Sequence, residues 1–330
     1  MTKPLLNRRA SAAFMVLTVA GLSGLPLAHA ESYPAKPIQL VVPFPPGGAV
    51  DIVGRLISKK LGDRLGQPVV IENRAGAGTI VGAAYVASAA SDGYTLLISS
   101  GSTFTVNPAL KTKLPYDPVK SYEPIGMVAR VPLILLANRD VPVNNINQLI
   151  AAVKAAPDKY TYGSFGSGTT GHFAGELMWS AIGIKLLHVP YRGSAPAMTD
   201  LMGGQIPFTV DTVAAALPQL KSGKIKAIAV TGASRAPQLP DVPTVAEAGF
   251  AGFAADSWLA VVAPHGLPAD VKAKLEKALA ETMADDEIST RLVASGLVKA
   301  YEPAAAVAAQ IESELPRMRA IAQRANIKAD

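Results

Sequence analysis

Cysteine is missing from the whole 330-residue chain. That excludes disulfides, thiolate metal sites, a cysteine nucleophile and a lipid anchor on cysteine. Histidine is scarce, four residues in all, and none stands in an H-E-x-x-H pattern. A zinc centre would therefore have to gather scattered ligands. The nucleophile-elbow pattern G-x-S-x-G does not occur, and neither does a P-loop. Charged residues make up only 17% of the chain against 49% hydrophobic, the balance of a folded globular protein and not of a disordered one. No cluster of Lys and Arg offers a nucleic-acid footprint.

The one long apolar run lies at the start. Lys3, Arg8 and Arg9 precede the stretch Ala12 to Leu27, which ends in Ala28-His29-Ala30. A positive region, an apolar region and an A-x-A site predict a secretory signal peptide over residues 1–30, cut after Ala30. Gly21, Gly24 and Pro26 interrupt the run, which argues against a permanent membrane span. Removal of this segment takes away three basic residues and no acid, so the net charge falls from +6 to +3. An exported protein without disulfides fits a bacterial periplasm.

The remaining residues are enough for two lobes. The chain turns on the stretch from Val42 to Asp51, Pro43-Phe44-Pro45-Pro46-Gly47-Gly48 at its centre. The β-branched run Ile38 to Val41 predicts a buried strand before it. Val50, Val53, Leu56, Ile57, Leu61 and Leu65 predict one face of a helix after it. Such a junction offers glycine backbone and unpaired helix-start amides to an anion. Similar strand exits recur at 99–103, 164–172 and 191–196. Strands are predicted at Val69–Glu72, Tyr94–Ser99, Ile125–Leu136, Tyr160–Ser164, Leu186–Val189, Ile206–Asp211, Ile225–Val230 and Ser257–Val262. Asn107 to Pro124 reads as a long surface connection, and everything after Pro264 as helix. Alternating strands and helices predict an α/β fold with parallel sheets covered on both faces. Two apolar crossover strands divide it into a first lobe over 31–130, a second over 131–255, and a return to the first over 256–330.

Gly166-Ser167-Gly168-Thr169-Thr170-Gly171 matches the dinucleotide fingerprint G-x-G-x-x-G. No acid ends the following strand to hold a ribose, so a smaller anion on the same amides and hydroxyls is the better reading. His188 alternates with apolar strand neighbours and reads as a core residue. His172, beside the glycine loop, serves equally as ligand contact or cap. Arg192 at a strand exit can pair with a carboxylate or form an ordinary ion pair. Asp51 and Asp211 read as helix caps or as acceptors for a ligand amine or hydroxyl. If the strand exits face each other across a cleft, they supply many neutral donors and little fixed charge.

Together these stretches resemble the solute receptors of tripartite tricarboxylate transporters, the Bug receptors. The resemblance is carried by Pro43-Phe44-Pro45-Pro46-Gly47-Gly48 with Asp51, Glu72-Asn73-Arg74 with Gly76-Ala77-Gly78, and Asp92-Gly93-Tyr94-Thr95. It continues through His188-Val189-Pro190-Tyr191-Arg192-Gly193, Asp241-Val242-Pro243-Thr244 and Glu247-Ala248-Gly249. One departure is Pro207, where the family commonly has aspartate. The resemblance implies a type II periplasmic binding fold, two doubly wound α/β lobes that close by a hinge over an interlobe cleft. It implies a non-enzymatic receptor that binds a di-, tri- or aromatic carboxylate without cofactor or metal. Partners would be the permease subunits of such a transporter or a sensor protein, with no nucleic acid, and the receptor would act as a monomer. Implied ligand residues are Phe44, Gly47, Gly48, Asp51, Ser100, Ser102, Ser164, Ser167, Gly168, Thr169, Thr170, His172 and Asp211, and to these the strand-exit reading adds Arg192. The competing expectation is an exported enzyme that holds a dinucleotide or phosphate on the Gly166–Gly171 loop.

Overall fold

A computed structural model describes residues 33–328; the signal-peptide expectation lies outside the described residues. Eleven strands run in chain order as β1 (Ile38–Val42), β2 (Val69–Asn73), β3 (Thr95–Ser100), β4 (Tyr122–Val131), β5 (Leu133–Asn138), β6 (Thr161–Ser164), β7 (Leu187–Pro190), β8 (Phe208–Thr212), β9 (Ile225–Val230), β10 (Ser257–Pro264) and β11 (Val298–Pro303). They form two sheets, one ordered β11-β4-β10-β3-β1-β2 and the other β7-β6-β8-β5-β9.

Each sheet is mixed, which corrects the expectation of parallel sheets. In the first, β1 pairs parallel with β2 and β3, while β10 runs antiparallel to both β3 and β4. In the second, β6 pairs parallel with β7 and β8, while β5 runs antiparallel to β8 and β9. Two of the antiparallel members, β5 and β10, carry the chain between the sheets. β4 leaves the first sheet at Val131, and past Pro132 the chain enters the second as β5. It returns through the segment 231–256 into β10, whose first residue Ser257 pairs with Val131. The two hinge strands therefore lie side by side.

The helix Ala49–Leu65 shows why the first junction folds as its spacing predicts. Its buried residues include Val50, Val53, Leu56, Ile57, Leu61 and Leu65, the apolar stripe. Full burial contributes roughly 1.5–3 kcal/mol for each large aliphatic side chain. Gly66 ends the helix in the left-handed region at φ 75°, where its N–H reaches the Gly62 carbonyl, a turn that a Cβ would strain.

Two sequence expectations fail at the edges of the fold. The stretch after Ser100 is not an open loop: Ser102–Val106 is a π-helical turn that runs into the short helix Asn107–Leu110. Phe104 there stacks on Trp258 at 5.6 Å and meets Tyr122 edge-on. Tyr116 and Tyr122 are buried too, and their hydroxyls donate to the Thr103 and Ala83 carbonyls, so the proline-rich connection is anchored in the core. The C-terminal region also holds β11, an edge strand antiparallel to β4. Only after β11 does the long helix Ala304–Arg324 begin, and its far end packs against Phe173 and Leu177 beside the second sheet.

Candidate functional site

Several helix starts in this molecule are closed by a side chain, and two of those that are not face one another. Thr169 accepts from the His172 N–H, Thr212 from Ala215 and Asn145 from Gln148. The helices Ala49–Leu65 and Ser194–Met202 start at Gly48 and Gly193, with no side-chain cap. Their first-turn amides keep no intrahelical partner, except that Pro196 has none to offer. One helix starts behind the first sheet and the other behind the second. Both starts border the same buried cavity of ≈ 30 Å³, room for one small polar head. Its lining includes Ser100, Thr170, Ser194, Thr212 and Ser257, and no charged residue. Helix dipoles and amide donors on both sides, with no acid in the wall, give this cavity, the seat, the field and donors suited to an anion.

The seat adjoins a larger cavity of ≈ 580 Å³ that opens outward. Phe44, Pro45, Phe165 and Gly193 line both, and the two phenylalanine rings meet edge-on at 6.2 Å. Lys111 and Arg192 stand in this vestibule, and no Asp or Glu lines it. Its far wall is the loop 75–79, where Ala77 and Thr79 hold positive φ of 46° and 90°. Asn107 fixes that strained loop by donating to the Gly78 carbonyl at 2.5 Å, and Thr103 donates to the Thr79 hydroxyl.

The two halves touch around the seat. The Thr170 N–H donates to Ser102 Oγ at 3.0 Å. A Cβ on Gly193 would lie 2.9 Å from Pro45 Cγ, and one on Gly78 would lie 2.2 Å from the Ser167 carbonyl oxygen. Glycine is required at both places because backbone crosses backbone or a ring there. This is a closed cleft.

The structure sorts the sequence candidates. Phe44, Gly48, Ser100 and Thr170 line the seat; Phe44, Ser167, Thr169 and Arg192 line the vestibule. Gly47, Asp51, Ser102, Ser164, Gly168, His172 and Asp211 line neither. Asp51 braces the loop from behind: Arg55, Asn73 and the Gly47 N–H all donate to its carboxylate. Burial pushes its pKa upward, but the bonds from Arg55, Gly47 and Asn73 outweigh that and hold it below the ordinary value. Asp211 is fully buried, where it accepts from Ser194 Oγ at 2.7 Å and from the Thr212 N–H. Burial is the main cause that raises its pKa to about 6, against those hydrogen bonds. Ser164 shares its hydroxyl with His188 Nε2 at 2.8 Å and with the Gly166 backbone. That contact has the reach of a nucleophile–base pair, but Ser164 is wholly buried and lines neither the seat nor the vestibule. His172 accepts from the Gly168 N–H and stacks on His188 at 4.2 Å.

The glycine loop spends most of its amides on the protein itself in this closed form. Its amides at Gly166, Gly168, Thr169, Thr170 and His172 are all taken by protein acceptors. Residues the sequence reading does not single out are Ser257, Ser194, Thr212 and Lys111. The readable signal was the glycine at the start of two helices: without a side chain, the position leaves its amides open.

Residues 53–327 match the tripartite tricarboxylate transporter family receptor. A UPF0065 protein of Bordetella pertussis is 39% identical over 263 residues, 80% of this chain and 81% of that protein. The structure of the periplasmic binding protein BugD superposes with a TM-score of 0.86 at 37% identity, covering 90% of this chain and all of that one. The structure of R. palustris Rpa4515 with adipate gives 0.87 at 34% identity, covering 90% and 99%. The two-lobe architecture is thus that of periplasmic binding proteins.

Proposed function

This chain belongs to the receptor family of tripartite tricarboxylate transporters, and we propose from that premise that it is a periplasmic solute receptor for a small carboxylate. The observation that carries the reading is the pair of uncapped helix starts, one from each half, on one buried seat. A carboxylate there accepts from amides of both halves, so its binding favours the closed arrangement over the open one. Each hydrogen bond to an ionised group contributes about 1.5–3 kcal/mol. Three to five of them, less the cost of ordering, support affinity near micromolar, about 8 kcal/mol.

The body of the ligand runs past Phe44 and Phe165, which line both cavities, into the vestibule. Lys111 and Arg192, with no opposing acid, favour a second anionic group there. Adipate in Rpa4515 supports an aliphatic dicarboxylate over an aromatic acid. In this reading the receptor is monomeric, carries no catalytic group, and hands its ligand to permease subunits or a sensor. Among the described residues no helix is long and apolar enough to cross a membrane.

A thermal-shift screen of residues 31–330 against aliphatic di- and tricarboxylates, aromatic carboxylates, amino acids and NAD(P) tests the reading. A ligand at about 100 times its Kd stabilises by roughly 2.7 kcal/mol. A shift with carboxylates is the expected result. A shift with dinucleotides alone would overturn it in favour of an exported enzyme.

A further inference from the structure

Ser257 opens β10, the strand that brings the chain back from the second sheet to the first. Its side chain is 3% exposed, and its hydroxyl oxygen is buried without a hydrogen-bond partner among the described residues. A buried hydroxyl left unpaired costs about 1–3 kcal/mol, and native interiors rarely tolerate it without a use.

The strand register shows where that hydroxyl points. Leu259 pairs with Ser100, so their side chains share one face of the sheet, and Ser257, two residues earlier, shares it too. Ser257, Leu259 and Ser100 all line the anion seat. The intervening Trp258 faces the opposite side, where its Nε1 donates to Glu314 at 2.8 Å. Ser257 thus belongs to the lining of the seat that both uncapped helix starts border, on the sheet face turned toward it. Ser100, beside it, already accepts from the Ser102 N–H.

We propose that Ser257 is a ligand-binding residue whose hydroxyl donates to one oxygen of the carboxylate in the seat. The assignment as donor follows from the rest of the wall, which converges amide donors and contains no acid, so the occupant must be an acceptor. The position gives Ser257 a further role. It pairs with Val131 at the point where both hinge strands leave the first sheet, so a ligand held there ties the hinge to the seat. This inference rests on the receptor reading above.

The test is isothermal titration of the wild type and of Ser257→Ala with adipate, malate and benzoate, with the melting temperature of each ligand-free protein measured alongside. Ser257→Ala removes an unpaired polar atom, so its ligand-free melting temperature should equal or exceed that of the wild type. Its affinity for whichever probe the wild type binds best should fall about 10- to 100-fold, the loss of one hydrogen bond to an ionised group. Ser100→Ala serves as the contrast: it strands the Ser102 N–H and should lower the ligand-free melting temperature. Equal affinity of wild type and Ser257→Ala overturns the assignment and leaves the receptor reading standing. A weaker Ser257→Ala that also melts lower would mark Ser257 as a packing residue and overturn it as well. A wild type that binds none of the carboxylates removes the receptor reading, and the assignment falls with it.

Discussion

Gly78 offers the sharpest test of closure. It sits at φ 63°, ψ 41° in the strained loop of the vestibule, and a Cβ there would come 2.2 Å from the Ser167 carbonyl oxygen across the cleft. Both partners at this contact are backbone, so neither can swing away. In the open receptor Gly78→Ala meets no such obstacle and bears only the left-handed conformation, about 1–2 kcal/mol. In the closed form the halves must stay more than an ångström further apart. That separation sacrifices the Thr170–Ser102 hydrogen bond, worth about 1 kcal/mol, and the Phe44–Phe165 edge contact, worth about 0.5–1.5 kcal/mol. It also moves one helix start away from the carboxylate and forfeits about one charged hydrogen bond, 1.5–3 kcal/mol. Together the closed, loaded state should lose about 3–5 kcal/mol, which is two to four orders of magnitude in Kd. Titration calorimetry reads the affinity, and small-angle X-ray scattering reads whether ligand still compacts the protein. A Gly78→Ala protein that binds within a few-fold of wild type and compacts as fully would refute the closure argument.

Four further substitutions probe groups around the site. Asp211 has a folded pKa of about 6 against an ordinary 3.8, so its ionisation opposes folding: the associated stability is whole below 3.8 and lost as pH rises through 6. Asp211→Asn keeps an acceptor for Ser194 and Thr212, and it should flatten the melting-temperature profile over that window and gain about 1–3 kcal/mol relative to wild type near pH 7. Asp51 has the opposite sign, since its depressed pKa gives stability that is present above 3.8 and lost as pH falls below it. Asp51→Ala should cost about 1–3 kcal/mol near pH 7 in urea unfolding, and less in strong acid. Lys111→Gln and Arg192→Gln should each weaken dicarboxylate binding about two- to fivefold in low salt and spare a monocarboxylate of equal length, with the difference shrinking as salt is added. Equal loss for both ligand types would remove the vestibule from recognition.

What the sequence disclosed and what it hid follow one physical rule: local signals were legible, while satisfaction of polar groups was not. The strand at Ile38–Val42 and the helix behind it are written in spacing alone, because one apolar stripe must be buried whatever it meets. β11 escaped because its residues Val298–Pro303 are half-buried at a sheet edge, with no strict alternation to mark them. The turn after Ser100 reads as a polar loop, yet Ser102, Thr103 and Thr105 are fully buried through side-chain bonds to distant partners. The glycine loop at 166–171 shows the rule most clearly. It matches a ligand-binding motif, but the amides of Gly166, Gly168, Thr169 and Thr170 are already bonded to protein acceptors. The junctions at Gly48 and Gly193 keep theirs because glycine at a helix start contributes no cap. A helix start therefore signals an anion site only when its own flanking side chains cannot close it. That condition can be checked in sequence for the cap residue itself. It cannot be checked for a residue such as Ser257, which arrives from another strand and whose missing partner is a property of the folded molecule alone.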